Sequence, residues 1–199
     1  MRRVCVADLK RSIERDIPFF DQSGGGVTFS GGEPLYQPDF LLAMLKACGQ
    51  LEIHRVVDTS GYAAEEILLR VLPLTDLFLY DLKLMDPAAH KINTGVDNAK
   101  ILSNLRRLSE RGADIVIRIP LIPGVNDTDA NIAQTGEFIA GLPGKHPVNL
   151  LPYHGAAVGK YAKLGISYGS ERIGPLGKNR IADIARNLSD FGLQVSVGG

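Results

Sequence analysis

Tryptophan is absent from the 199 residues, and cysteine occurs only twice, at Cys5 and Cys48. With no tryptophan, and no basic residues interleaved with the tyrosines and phenylalanines, nothing points to stacking on nucleobases. Neither charge sign is in excess: 22 Lys and Arg balance 22 Asp and Glu. The chain therefore offers no electrostatic case for nucleic acid or for an anionic membrane. The two cysteines lie far apart and form no CxxC or related metal spacing, so no metal site is expected from them. A disulfide is not expected either. Cys48 falls on the apolar face of a helical pattern with Phe40, Leu41, Met44 and Leu45 and reads as a small core residue. Cys5 reads as an ordinary thiol near a helix start. Long apolar runs are also missing. ILLRVLPLTDLFLYDL is broken by Arg70, Pro73 and Asp76, too soon to span a membrane. MRRVCVADLK returns to charge before any apolar region develops, so it is not read as a targeting segment. A cytoplasmic protein is the expectation.

What the chain does contain is a rhythm of helix, strand and loop. Helices are predicted over VADLKRSIERDIPFF, over DFLLAMLKACG with Pro38 at its first position, and over AEEILLRVL, NAKILSNLRRLSERG, TDANIAQTGEFIAGL and KNRIADIARNLSDFG. In NAKILSNLRRLSERG, Ile101, Leu105 and Leu108 form an apolar stripe. The Asn126–Asp127 pair is placed to start the helix that follows it. Strands are predicted at VTFS, HRVVDTSG, DLFLYDLK, DIVIRIPLIPGVND, VNLLPYHG and LQVSVGG. Strands separated by helices imply parallel crossovers. No linker or composition break divides the chain, so residues 1–199 are read as one α/β domain.

The strand exits carry the polar residues: SGGE, DTSG, YDLK, RIPLIPG and LPYH. In a parallel α/β barrel those carboxyl ends share the face that holds the active site, and an open sheet follows a similar rule. Glu33, Asp58, Thr59, Asp81, Lys83, Arg118 and His154 are thus predicted to ring one pocket. Gly31 and Gly32 leave bare backbone that a ligand can approach. Glu33 can accept from an ammonium or a hydroxyl. Alone, GGE is more often a glycine turn with a solvated acid. It is no phosphate cradle, since neither GxGxxG nor a P-loop lysine accompanies it. Lys83 is either a solvated lysine, a pocket cation or a Schiff-base former. Arg118, inside IVIRIP, demands a carboxylate or ligand partner if it points inward. His154 reads as a loop histidine whose place after LLPY favours a ligand contact.

The run SGGGVTFSGGEPL, followed in order by DTSG, YDLK, RIPLIPGVND and LPYH, resembles the glycyl-radical enzyme activating enzymes, radical S-adenosylmethionine proteins of the pyruvate formate-lyase activase type. The resemblance covers nearly the whole chain. It implies a partial (β/α) barrel of parallel strands with outer helices, here without its first β/α unit. By resemblance, Gly31, Gly32 and Glu33 match the motif that holds the methionyl amino group of S-adenosylmethionine. Asp58 and Thr59 match an exit bordering the cofactor and a monovalent cation site, and Arg118 and His154 match positions at the cofactor's carboxylate or nucleoside end. Asp81 and Lys83 match the DLK motif near the cofactor and the partner's glycyl loop, where the chemistry takes place.

The family reaction also implies a 4Fe-4S cluster on CxxxCxxC, an electron donor such as flavodoxin or ferredoxin, and a 5′-deoxyadenosyl radical that removes hydrogen from a glycine of the partner enzyme. Two cysteines cannot supply three thiolates. The chain is therefore expected to be a fragment that begins after the cluster region, rather than a natural truncated homologue, and to be unable by itself to generate the radical. Two other readings stand beside this one. A Schiff-base lyase or aldolase on a similar barrel would use Lys83, and a cluster-less binding module would keep only the adenosyl pocket or the partner surface.

Overall fold

The computed structural model describes residues 4–153 and 174–198. In chain order its helices are α1 (Val6–Glu14), α2 (Ile17–Ser23), α3 (Pro38–Gly49), α4 (Glu65–Val71), α5 (Pro87–Thr94), α6 (Ala99–Glu110), α7 (Asp129–Ala140) and α8 (Lys178–Ser189). Its strands are β1 (Gly26–Phe29), β2 (His54–Thr59), β3 (Leu77–Asp81), β4 (Ile115–Leu121), β5 (Val148–Pro152) and β6 (Val195–Val197). Their hydrogen-bonded order follows the chain, β1 to β6. Parallel strands with helices between them are the architecture that the sequence predicts. None of the described helices is long and apolar enough to cross a membrane.

By compactness the chain divides into two units, Met1–Asp81 with Ala99–Val116, and Leu82–Asn98 with Ile117–Gly199. In the first unit β2 lies between β1 and β3, with Gly26 opposite His54 and Val56 opposite Leu77, both pairs parallel. Ile13, Met44, Cys48 and Ile53 form a buried cluster against which Leu9, Val27, Phe29 and Phe40 pack. In the second unit β5 lies between β4 and β6, with Val148 opposite both Ile117 and Val195. Its core includes Ile117, Ile119, Leu121, Ile132, Val148, Leu150, Ile184 and Leu188.

Side chains alternate along each strand, because successive residues of a strand point to opposite faces. Phe78 and Tyr80 of β3 are buried while Leu79 and Asp81 are half-buried. Ile117 and Ile119 of β4 are buried while Arg118 and Pro120 are half-buried. The same alternation separates buried Val57 from half-buried Asp58 on β2. In each unit the candidate residues of the strands thus sit mainly on the less covered face.

The structure departs from the sequence reading, or adds detail to it, at several points. The opening helix is two helices that part at Arg15 and Asp16, because Pro18 lies at the start of α2, where its missing N–H costs nothing. Helix α5 was not expected; Asp86 caps it by accepting from the Ala89 N–H, and Gly95 ends it at φ +87°. The start of α7 is Thr128, whose hydroxyl accepts from the Asn131 N–H, and not the Asn126–Asp127 pair. Cys48 is buried as the helical pattern implies, and exposed Cys5 stands at the N-cap of α1.

The entrances of β2 and β3 are stapled by an ion pair. Arg55 gives its Nε and its own backbone N–H to Asp76 Oδ2, at 2.8 and 2.7 Å, and its Nη2 to Oδ1 at 2.7 Å. A Cβ on Gly49 would lie 2.5 Å from Arg55 Nη1, so the end of α3 is shaped around this guanidinium. The Arg55 hydrogen bonds hold the Asp76 carboxyl below its ordinary 3.8. A depressed carboxyl contributes stability that is present above the unfolded value and lost as pH falls through the folded one. Asp76→Asn is expected to be less stable than the parent at neutral pH. The two should converge as pH drops below 3.8, in urea melts recorded across that range.

Candidate functional site

The exit of β1 turns on Gly31, held at φ +125°, a conformation that side-chain-bearing residues rarely adopt; a Cβ there would meet nothing within 4 Å. Two residues later Glu33 opens a single 3-10 turn, Pro34–Tyr36. Its carboxylate is half-buried and bonded within the protein. Oε1 accepts from the Leu35 N–H at 3.2 Å and from the Thr59 hydroxyl at 2.6 Å. Oε2 accepts from the Ser60 N–H at 3.0 Å and from the Ser60 hydroxyl at 2.6 Å. Four donors fill the roughly four acceptor directions of a carboxylate. The glycines let the chain turn, and the turn delivers the acid onto the exit of β2.

The same two exits meet again through the Ser30 hydroxyl, which donates to Asp58 Oδ2 at 2.9 Å. Thr59 is buried, and its Oγ1 also accepts from the Gly61 N–H at 2.9 Å. Gly61 stands at φ +72°, and a Cβ on it would fall 1.7 Å from the Tyr80 hydroxyl. That hydroxyl donates to the Ile101 carbonyl at 2.7 Å. Burial, and then the Glu33 charge, push the Tyr80 phenol well above its ordinary value, so it stays a neutral donor. Buried Asn104 of α6 gives its amide to the carbonyls of Gly61 and Ala63, at 2.8 and 2.9 Å, and holds the loop in place.

A cavity of about 580 Å³ borders this loop. Val27, Thr28 and Phe29 line it in succession, so it runs along the free edge of β1 rather than over one face. Its walls include Leu9, Ile13 and Phe40, and Glu33 also lines it.

In the first unit the structure brings Gly31, Gly32, Glu33, Asp58 and Thr59 together, with Asp81 half-buried at the end of β3. In the second unit the Leu82 N–H donates to the Arg118 carbonyl at 2.9 Å, which puts Lys83 one residue beyond Arg118's neighbour; both side chains are half-buried. His154 lies outside the described residues. Sequence reasoning missed Ser30, Ser60 and Asn104. Asn104 had left a signal, an amide on the apolar stripe of Ile101, Leu105 and Leu108.

The cysteines do not fit an iron-sulfur cluster. Cys48 is 1% exposed in the core cluster of the first unit, where burial pushes its thiol up and away from the thiolate that iron needs. Cys5 donates its thiol hydrogen to Asp8 Oδ2 at 3.0 Å. Among the described residues no group of three His, Cys, Asp or Glu could hold a metal ion.

Comparison with known proteins gives consistent results. The family model for the Radical SAM superfamily matches residues 4–135. The trans-4-hydroxy-L-proline dehydratase activating enzyme of Clostridioides difficile is 42% identical over 197 residues, 98% of this chain and 65% of that one. The pyruvate formate-lyase-activating enzyme of Clostridium pasteurianum is 35% identical over 193 residues, 96% of this chain and 79% of that one. A crystal structure of a domain of pyruvate-formate lyase-activating enzyme from Bacteroides vulgatus superposes with a TM-score of 0.76 at 42% identity, covering 88% of this chain and all of that one. The chain spans about half to two thirds of the length of most of the curated relatives it matches.

Thr59→Val tests the Glu33 geometry. It removes one of the two donors to Oε1 and leaves the Gly61 N–H without its acceptor, at an expected cost of about 1–3 kcal/mol of unfolding free energy in urea titration. Ser60→Ala is expected to cost less, because the Ser60 N–H still reaches Oε2.

Proposed function

Because the chain belongs to the Radical SAM superfamily, and within it to the glycyl-radical enzyme activating enzymes, we propose that it forms the part of such an enzyme that binds S-adenosylmethionine and meets the partner. The observation that carries this reading is the oriented Glu33 carboxylate beside the open backbone of Gly31 and Gly32. S-adenosylmethionine presents an ammonium, a carboxylate, a sulfonium and a ribose. Glu33 is the proposed acceptor for the ammonium. Its four bonds are all made, so the Ser60 hydroxyl, a donor free to rotate, yields its place at Oε2. The carbonyls and N–H groups of residues 31–33 are approachable because no Cβ stands at 31 or 32.

Asp58 is the proposed acceptor for ribose hydroxyls, held at a fixed angle by Ser30 and carried on a strand whose next residue, Thr59, orients Glu33. Lys83 and Arg118 are proposed for the carboxylate, as cations from the exit of β3 and from the middle of β4, and His154 for the nucleoside end. Asp81 and Lys83 are proposed to face the partner's glycine as well. When reductively cleaved, S-adenosylmethionine supplies a carbon-centred radical able to take hydrogen from a glycine backbone. The partner proposed here is a glycyl-radical enzyme, with flavodoxin or ferredoxin as electron donor to the complete protein. The three cluster thiolates are proposed to come from outside these 199 residues, and the chain alone is proposed not to generate the radical.

Calorimetric titration of the chain with S-adenosylmethionine is expected to show binding that Glu33→Ala and Arg118→Ala each weaken. Unchanged affinity in both variants removes the pocket assignment. Anaerobic iron-sulfur reconstitution is expected to leave no stoichiometric, reducible cluster on the chain; a cluster that supports cleavage of S-adenosylmethionine overturns the claim of inactivity.

A further inference from the structure

The exit of β3 is held by side-chain amides. One residue past β3, the Leu82 N–H donates to the Arg118 carbonyl at 2.9 Å. Beyond it the Lys83 carbonyl accepts from Asn126 Nδ2 at 3.1 Å and from Asn131 Nδ2 at 3.3 Å. The Leu84 and Met85 carbonyls accept from Asn98 Nδ2 at 2.9 and 2.8 Å. The Met85 N–H donates to Asn131 Oδ1 at 2.8 Å. Asn126 also reaches back to β4, giving its second hydrogen to the Pro120 carbonyl at 2.7 Å and accepting from the Ile122 N–H at 2.7 Å. Asn131 gives its second hydrogen to the Asn126 carbonyl at 2.9 Å.

All three amides are buried, at 3%, 1% and 6% exposure for Asn98, Asn126 and Asn131. Burying an amide is costly unless it is bonded, and here both donors of each Nδ2 are used. The bonding also fixes each amide's sense, since oxygen must face the N–H groups and nitrogen the carbonyls. The three asparagines come from the residue before α6, the loop after β4 and the first turn of α7. They converge on three consecutive residues, and Asp86 caps α5 straight after. The whole connection from β3 to α5 is left without slack, although it contains no regular backbone ladder.

We propose that Asn126 and Asn131 are positioning residues for Lys83, fixing its backbone so that its side chain enters the site from one direction. This rests on the reading of Lys83 as a residue that contacts S-adenosylmethionine. Apolar packing would hold the loop close; directed hydrogen bonds to the carbonyl of Lys83 itself also fix the orientation of its Cα–Cβ bond. The clamp contains no ionisable group, so its hold does not change with pH.

The test is a double-mutant cycle on the affinity of the full chain for S-adenosylmethionine, read by calorimetry. Lys83→Ala and Asn131→Ala are each expected to weaken binding by about tenfold, within the range of coupling between residues that act together. The double variant is expected to bind no worse than Lys83→Ala. Equal further loss on the Lys83→Ala background, or no loss in Asn131→Ala, overturns the positioning role. Wild-type affinity in Lys83→Ala overturns the reading of Lys83 and this inference with it. One measurement needs no variant. The Met85 amide, bonded only to a side chain, is expected to exchange its hydrogen as slowly as the backbone-bonded amide of Leu82 in the parent protein, and rapid exchange overturns the clamp.

Discussion

Wherever parallel strands stop pairing, their last peptide groups need partners, and this requirement organises the carboxyl ends of the sheet strands in this protein. The ladder supplies bonds only along its own length. Past Thr59 the partners are Glu33 and Asn104; past Leu82 they are Asn98, Asn126 and Asn131. Each is a short side chain with a fixed reach, so each fixes the geometry of an exit loop. The stems of the candidate site are therefore determined by hydrogen-bond direction more than by apolar packing.

Much of this was legible in the sequence. The helix-strand rhythm located the six strands, and the succession of polar strand exits located the candidate residues. The structure adds that Asp58 and Arg118 lie on the less covered face of their strands. What was not legible is how the exits are joined. Glu33 reads as a ligand for something outside the chain, yet its first partners are Thr59 and Ser60, more than twenty residues away. Local patterning carries no information about such pairs. Asn126 shows the same limit, since a motif that looks like a helix cap becomes a tie between the carbonyls of Lys83 and Pro120 once those residues are brought beside it. Helix α5 was missed because its apolar content is low and only His90 is buried on it.

The edge of β1 contrasts with the exits. Its three lining residues, Val27, Thr28 and Phe29, carry no charge, and the nearest proline is Pro34. Natural edge strands are usually guarded by lysine, proline or a bulge. Here an apolar cavity runs beside the strand instead, next to the one loop whose acid is already fully bonded. Polar satisfaction is thus complete on the β2 side of the Ser30–Pro34 turn, and apolar surface is left open on the other.

The full coordination of Glu33 sets a rule for what can enter. A bare carboxylate attracts any donor, water included. One that already holds four donors can be approached only by displacing one of them, and a neutral hydroxyl replacing the Ser60 hydroxyl gains nothing. Only a group with a formal positive charge makes the exchange favourable, because hydrogen bonds between ions are the stronger kind. On the proposed reading of Glu33, selectivity for a cationic ligand would come from competition with the protein's own serine, set before any ligand arrives.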